Sequence, residues 1–247
     1  MRPSHKPSPS TATTLCAHLS SIDLPLLSSR QGKEVDALTQ ERFGISVEWL
    51  MEAAGWQVAR FCSGPTAVVC GVGNNAGDGL AAARHLHRWG KLAGVCCLDA
   101  GHLKGAAAKE RDALIRLGVD VSANLNVNAE LIVDAIFGTG ISRPPEGTFA
   151  EWIEAVNASG AHVIAIDVPS GLDADTGVAY APTVRADLTV TLGLPKPGLT
   201  KEDGPRLCGD VWVADIGVPF EAYAELGLRV PRDLFAASDR IHLGVSR

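Results

Sequence analysis

The sequence predicts a single α/β domain built on a parallel sheet with helices on both faces. Short continuous apolar runs such as Ala67-Val68-Val69-Cys70 and Val163-Ile164-Ala165-Ile166 alternate with helical stretches. Strands apolar on both sides belong to sheets covered on both faces. Glycines and prolines punctuate the chain where these patterns change. No internal repeat and no linker divides residues 30–220. At 247 residues the length suits one large domain.

Taken in order, residues 1–29 are rich in Ser, Thr and Pro and read as a disordered tail before a domain at 30–247. Gln31–Phe43 is helical in composition and stops at Gly44. A second helix runs from about Ser46, a plausible N-cap, to Phe61, with Leu50, Ala54 and Val58 on one apolar stripe. Thr66–Gly71 is the first strand, followed by a Gly/Asn turn and a helix from about Asp78 to Trp89. His85 and His87, about 200° apart on that helix, cannot share a metal and read as surface residues. A strand at Ala93–Leu98, a helix at Gly105–Leu117 and a short strand at Val119–Val121 follow. Glu130–Ile136 is a strand, Phe137–Pro144 a loop, and Gly147–Val156 a helix. His162–Val168, Ala186–Leu192 and Val211–Ile216 complete the strands.

Composition narrows the function. Net charge is -6, so no electrostatic nucleic-acid footprint is expected. No apolar run approaches the roughly 18 to 20 residues of a membrane span. The six cysteines show no C-x-x-C spacing. They read as buried free thiols of a reducing, cytoplasmic compartment.

Three strands end in polar signatures: Gly73-Asn74-Asn75-Ala76-Gly77-Asp78, then Asp134 with Phe137-Gly138-Thr139-Gly140, then Asp167-Val168-Pro169-Ser170-Gly171. Alone, each has a plain structural reading, as a tight turn with Asp78 capping the helix, or as a strand terminator. In a parallel sheet, however, all strand C-termini share one edge, where ligands bind. The glycines of the first turn would allow positive φ and close ligand approach, and a helix start suits a phosphate. Gly71-Val72-Gly73-Asn74-Asn75-Ala76 nearly satisfies the dinucleotide fingerprint, with Asp99 ending the next strand. Two amides and a carboxylate lengthen this turn beyond what a pyrophosphate needs, which disfavours an NAD(P)-dependent dehydrogenase. Lys196, after the strand at Ala186–Leu192, reads as a solvated lysine at the same edge.

The stretch Gly71–Gly79 resembles the Gly-x-Gly-Asn-Asn-Gly-Gly-Asp-Gly signature of the NAD(P)H-hydrate epimerases, the YjeF N-terminal domain family. Asp134-Ala135-Ile136-Phe137-Gly138-Thr139-Gly140, Asp167-Val168-Pro169-Ser170-Gly171-Leu172-Asp173, Lys196-Pro197-Gly198 and Leu50-Met51-Glu52-Ala53-Ala54-Gly55 are similar to its other signatures, in order. The resemblance implies a Rossmann-like three-layer αβα sandwich with a mostly parallel sheet, usually a homodimer. It implies epimerisation of the R and S forms of hydrated NADH and NADPH at nicotinamide C6. The substrate would meet Asn74, Asn75, Ala76, Gly77 and Asp78, then Gly138, Thr139, Gly140, Ile141, Ser142, Arg143 and Pro144, and Asp167. One potassium ion per subunit would sit on Asn75, Asp134 and Ser170, whose hard oxygens suit a hard cation. Asp167 is the expected proton carrier, because it ends a buried strand where desolvation favours the protonated form. Ala76 and Ala53 replace the family's usual Gly and Asn, which matters at 76 only if that position needs positive φ. The chain past Ile216 is too short for the dehydratase domain of many bacterial relatives, so a separate ADP- or ATP-dependent dehydratase is the implied metabolic partner. The alternative is a non-catalytic nucleotide-binding or scaffold module on the same fold.

Overall fold

The structure is a computed structural model that describes residues 24–243. Of the tail expected at residues 1–29, residues 1–23 lie outside them, as does Cys16. In chain order the elements are α1 (Ser29–Glu41), α2 (Val47–Ala59), β1 (Thr66–Cys70), α3 (Asn74–Arg88), β2 (Leu92–Cys97), α4 (Gly105–Arg116), β3 (Val121–Ser122), β4 (Leu131–Ala135) and α5 (Thr148–Ala158). Then come β5 (His162–Ile166), β6 (Leu188–Leu192), α6 (Gly204–Leu207), β7 (Asp210–Ala214), α7 (Phe220–Glu225) and β8 (Arg240–Leu243).

The strands form one sheet in the order β3-β2-β1-β4-β5-β6-β7-β8, parallel except for β8. The order reverses between β1 and β4, which opens a crevice at their C-terminal ends. Alternate residues along β1 and β4 feed two different cores. Val68, Cys70, Val133 and Ala135 pack with Leu80 and Leu86 of α3, while Ala67, Val69 and Ile132 pack with Trp152, Ile153 and Val156 of α5. That alternation makes the molecule a three-layer αβα sandwich. No helix among the described residues is long and apolar enough to cross a membrane.

Several expectations are corrected. The tail boundary at 29 is too late: Leu24 and Leu27 are buried, and the Leu27 N–H donates to the Pro195 carbonyl at 2.8 Å. The side chains of Ser28 and Gln31 form a capping box that starts α1. The third helix begins at Asn74 rather than Asp78, with Gly73 as N-cap and no side-chain cap. Asp78 therefore lies in its second turn and caps nothing. His85 is buried rather than on the surface, with its ring 5.2 Å from Trp56 and Nε2 3.0 Å from a Glu52 oxygen. Val211–Ile216 was expected to be the last strand, yet β8 adds an antiparallel edge. Its four residues are too short for a periodic signal to stand out. The five described cysteines are buried free thiols.

Gly71, Gly73, Gly77 and Gly79, the glycines of the turn and the start of α3, do not take positive φ. Their value is the absence of a side chain. A Cβ on Gly71 would stand 2.1 Å from the Ile136 carbonyl oxygen, and one on Gly77 would stand 2.6 Å from the Met51 sulfur. Bare backbone at these points lets β1 and α3 approach β4 and α2 closely. Ala76 lies in ordinary helix, wholly buried, so the family's glycine is not needed there for backbone conformation.

Candidate active site

A cleft of about 670 Å³ opens at the C-terminal edge of the sheet. Of the residues singled out in the sequence, Asn74, Asn75 and Asp78, the loop Gly138 to Pro144, and Asp167 line it. Ala76 and Gly77 do not line it; their side of α3 is buried against α2 and α4. Ala53 is also absent from the lining, whereas Leu50, Met51 and Ala54 of the same helix are present.

Asp134 and Ser170 lie beneath the cleft floor, both wholly buried. The Ser170 hydroxyl donates to Asp134 Oδ1 (2.6 Å), the Ser170 N–H to Oδ2 (2.8 Å), and the Ile136 N–H to Oδ1 (3.2 Å). Burial pushes the Asp134 carboxyl up to about 6, against the pull of these hydrogen bonds. The Phe137 N–H donates to Ser170 Oγ at 2.8 Å, which ties the β4 loop to the turn after β5.

The oxygens here fit a monovalent cation. Two lone pairs of Asp134 Oδ1 are occupied and one of Oδ2, so Oδ2 keeps one, and Ser170 Oγ keeps one beside the Phe137 bond. The Asn75 side chain lies against Gly138, where an added Cβ would meet Oδ1 at 3.2 Å, and its buried amide nitrogen has no partner. Among the described residues that orphan is a donor, so an acceptor on a bound ligand would answer it, while a cation would be met by Oδ1 alone. The described residues contain no cluster of three or more His, Cys, Asp or Glu that could hold a metal. The set is thus amide, carboxylate and hydroxyl, suited to a hard ion.

Asp167 differs from its expected setting. It does not stand as a lone carboxyl in a drying pocket. Its Oδ1 pairs with the Lys196 ammonium and accepts the Leu192 N–H at 3.1 Å. Lys196, expected to be solvated, is buried, and its ammonium also donates to the Leu192 carbonyl at 2.8 Å. Lys196 stands between Pro195, buried, and Pro197, half-buried. Asp167 has φ of 68°, in the left-handed region. Asp tolerates that region better than most residues, at about 1 kcal/mol. A strained residue ion-paired at a cleft is a common mark of function.

Sequence reading missed one wall of the cleft altogether. Ser29, Gly32, Lys33 and Asp36 line it from α1, at the three- and four-residue spacing of a single helix face. Asp36 keeps solvent access at the mouth. Crowding by the cleft walls and the Asp167 carboxylate nonetheless push it up to about 6, with Lys196 opposing. The Asp78 carboxyl is raised well above the usual range, first by burial and then by the Asp167 and Asp36 carboxylates. The available signal was weak: a capping box and an apolar Val35/Thr39 side buried in the fold.

A family model described as YjeF-related protein N-terminus matches residues 47–198. The NAD(P)H-hydrate epimerase of Rhodopirellula baltica is 36% identical over 213 residues, which cover 81% of this chain and 87% of that protein. That of Limosilactobacillus fermentum is 41% identical over 200 residues, covering 76% and 95%. The bifunctional NAD(P)H-hydrate repair enzyme Nnr of Thermofilum pendens is 40% identical over 215 residues, and the match spans 41% of its length. The crystal structure of yeast YNL200c superposes with a TM-score of 0.73 at 24% identity, covering 89% of this chain and all of that one, which supports the fold. With matching signatures, cleft and fold, the chain belongs to the YjeF-related N-terminal domain family.

Proposed function

We propose that the chain interconverts the R and S forms of hydrated NADH and NADPH at nicotinamide C6. The observation that carries this reading is the Asp167–Lys196 pair, held at the floor of a cleft that also receives the start of α3 and the Gly138–Pro144 loop. The substrate bears a hydroxyl on the carbon beside the ring nitrogen. That nitrogen's lone pair can expel the hydroxyl, leaving an iminium that water re-enters from either face. An acid must protonate the departing oxygen, and a base must take a proton from the returning water. Asp167 would act on one face of the ring, with Lys196 fixing its position.

The rest of the cleft binds and orients. The uncapped backbone N–H groups at the start of the 15-residue α3 suit the pyrophosphate. Asp78, whose carboxyl burial and the Asp167 and Asp36 carboxylates push toward the protonated form, can donate a hydrogen bond to the nicotinamide end. Arg143 offers a positive charge from the opposite loop. A potassium ion on Asn75, Asp134 and Ser170 would supply a fixed positive charge beside the Asp134 carboxylate. A homodimer, and a separately encoded dehydratase acting on the same hydrates, complete the proposal.

The test is chromatographic resolution of the two epimers after incubation with the protein, in potassium and again in tetramethylammonium. The proposal requires protein-dependent interconversion that slows without potassium. Interconversion at the buffer rate would refute the activity, and equal rates in the two salts would refute the ion.

A further inference from the structure

Epimerisation moves oxygen from one face of a ring carbon to the other, so two positions need proton transfer. Asp167 with Lys196 provides one at the sheet edge. The cleft has a second carboxyl on a separate wall, Asp36 of α1. Among the described residues its carboxyl has no hydrogen bond and no ion pair within 4.0 Å, although Lys196 and Asp167 both act on it electrostatically. The groups facing it are Lys196 and Asp167 at the sheet edge, Asp78 on α3 and the Tyr223 phenol on α7, with Lys33 of its own helix lining the same cleft. The α1 wall is fixed in place: the Leu27 N–H bonds to the Pro195 carbonyl, next to Lys196, and the Ser29 N–H donates to Asp175 Oδ1 at 2.7 Å.

Resting on the epimerase reading, we propose that Asp36 is the second proton-transfer residue, serving the hydroxyl on the ring face turned away from Asp167. In one direction the Asp36 carboxyl gives its proton to that hydroxyl. The C6–O bond breaks, its electron pair leaving with the oxygen as water, while the ring-nitrogen lone pair forms the C=N bond. Water on the other face then attacks C6 and yields its proton to the Asp167 carboxylate, and the C=N electrons return to nitrogen. The reverse direction exchanges the two roles, and the proton moved from Asp36 to Asp167 re-equilibrates with solvent. A carboxyl near 6 can both give and take a proton around neutrality. Asp78 is half-buried, and desolvation together with the Asp167 and Asp36 carboxylates raises its carboxyl, which suits a proton donor more than a base.

Oxygen exchange separates Asp36 from Asp167. Each purified epimer is incubated with wild type, Asp36→Asn, Asp36→Glu or Asp78→Asn in isotopically heavy water, and both label uptake and epimer ratio are followed. In Asp36→Asn, interconversion should fall by about 100-fold or more. Label uptake into the epimer whose hydroxyl faces Asp167 should persist, because departure and return on that face need only Asp167. Asp36→Glu should recover part of the interconversion. The role is overturned if Asp36→Asn interconverts the epimers like wild type, or if it loses label uptake into both epimers alike, as a merely structural defect would. Loss confined to Asp78→Asn would overturn it too. A wild type that leaves the epimers untouched would instead overturn the epimerase reading, and this role with it.

Discussion

The cleft has two walls built in different ways. The sheet-edge wall is rigid and fully engaged: Asp134 accepts three hydrogen bonds, Asp167 is ion-paired, and Gly71 sits flush against the β4 backbone. The α1 wall is a helix with solvent-accessible cleft residues, joined to the sheet edge through Leu27, Ser29 and a small apolar cluster with Val35. One wall holds charge in place at the cost of strain and desolvation. The other presents its carboxyl freely. Proton chemistry at two ring faces can use both kinds of setting, one carboxyl ion-paired and one unpaired among the described residues.

The largest expected effect lies on the rigid wall. Asp167→Asn should lower interconversion by about 100-fold or more while nucleotide still binds, because the amide keeps the shape but carries no transferable proton. Parallel assays of turnover and nucleotide affinity check this, and near-normal turnover would remove Asp167 from the chemistry. Lys196→Met, which strands the buried Asp167 carboxylate, should cost about 3 kcal/mol of stability. Adding Asp167→Asn to it should restore most of that in urea unfolding. A double variant no more stable than the single one would deny the coupling.

The same small substitution should have opposite signs on the two walls. Gly71→Ala drives a methyl into the Ile136 carbonyl and should cost about 3 kcal/mol, since backbone cannot step aside cheaply. On α1, Gly32→Ala meets only a Leu27 methyl at 3.9 Å and should stabilise by about 0.5 kcal/mol through helix propensity. Thermal melts of both variants read the contrast, which equal signs would erase.

The smallest effect concerns pH. Asp36 is held near 6 in the fold against an ordinary 3.8, so the folded chain binds this proton more tightly and loses stability as pH rises between those values. Asp36→Asn should therefore melt slightly higher than wild type at pH 7, with the difference shrinking toward pH 4. Solvent access at the cleft mouth keeps this stability difference small. A difference that grows on acidification would reverse the sign assigned to the α1 wall.

The two walls also differ in how well the sequence reveals them. Asp134, Asp167 and Asn75 follow apolar strands and sit among glycines and prolines, so alternation and breakers mark them, and the sheet edge gathers them. The same logic misplaced details that depend on packing. Asp78 read as a cap because helix starts favour such residues, yet α3 starts four residues earlier, after Gly73 and without a side-chain cap. Lys196 read as solvated because nothing local announces that its partner lies 29 positions away, at Asp167. Asp36 was silent altogether. A carboxylate on an amphipathic helix has the pattern of ordinary surface charge, and only the tertiary placement of α1 turns its face into the cleft.

The central claim is best tested with one purified epimer of hydrated NADH, followed by chromatography as the other appears. An epimerase gives a rate proportional to protein concentration, approach to the same equilibrium from either epimer, and no net change in nicotinamide oxidation state. Protein that binds the nucleotide while the epimer converts only at the buffer rate would contradict the claim, and would make this cleft a binding site without catalysis.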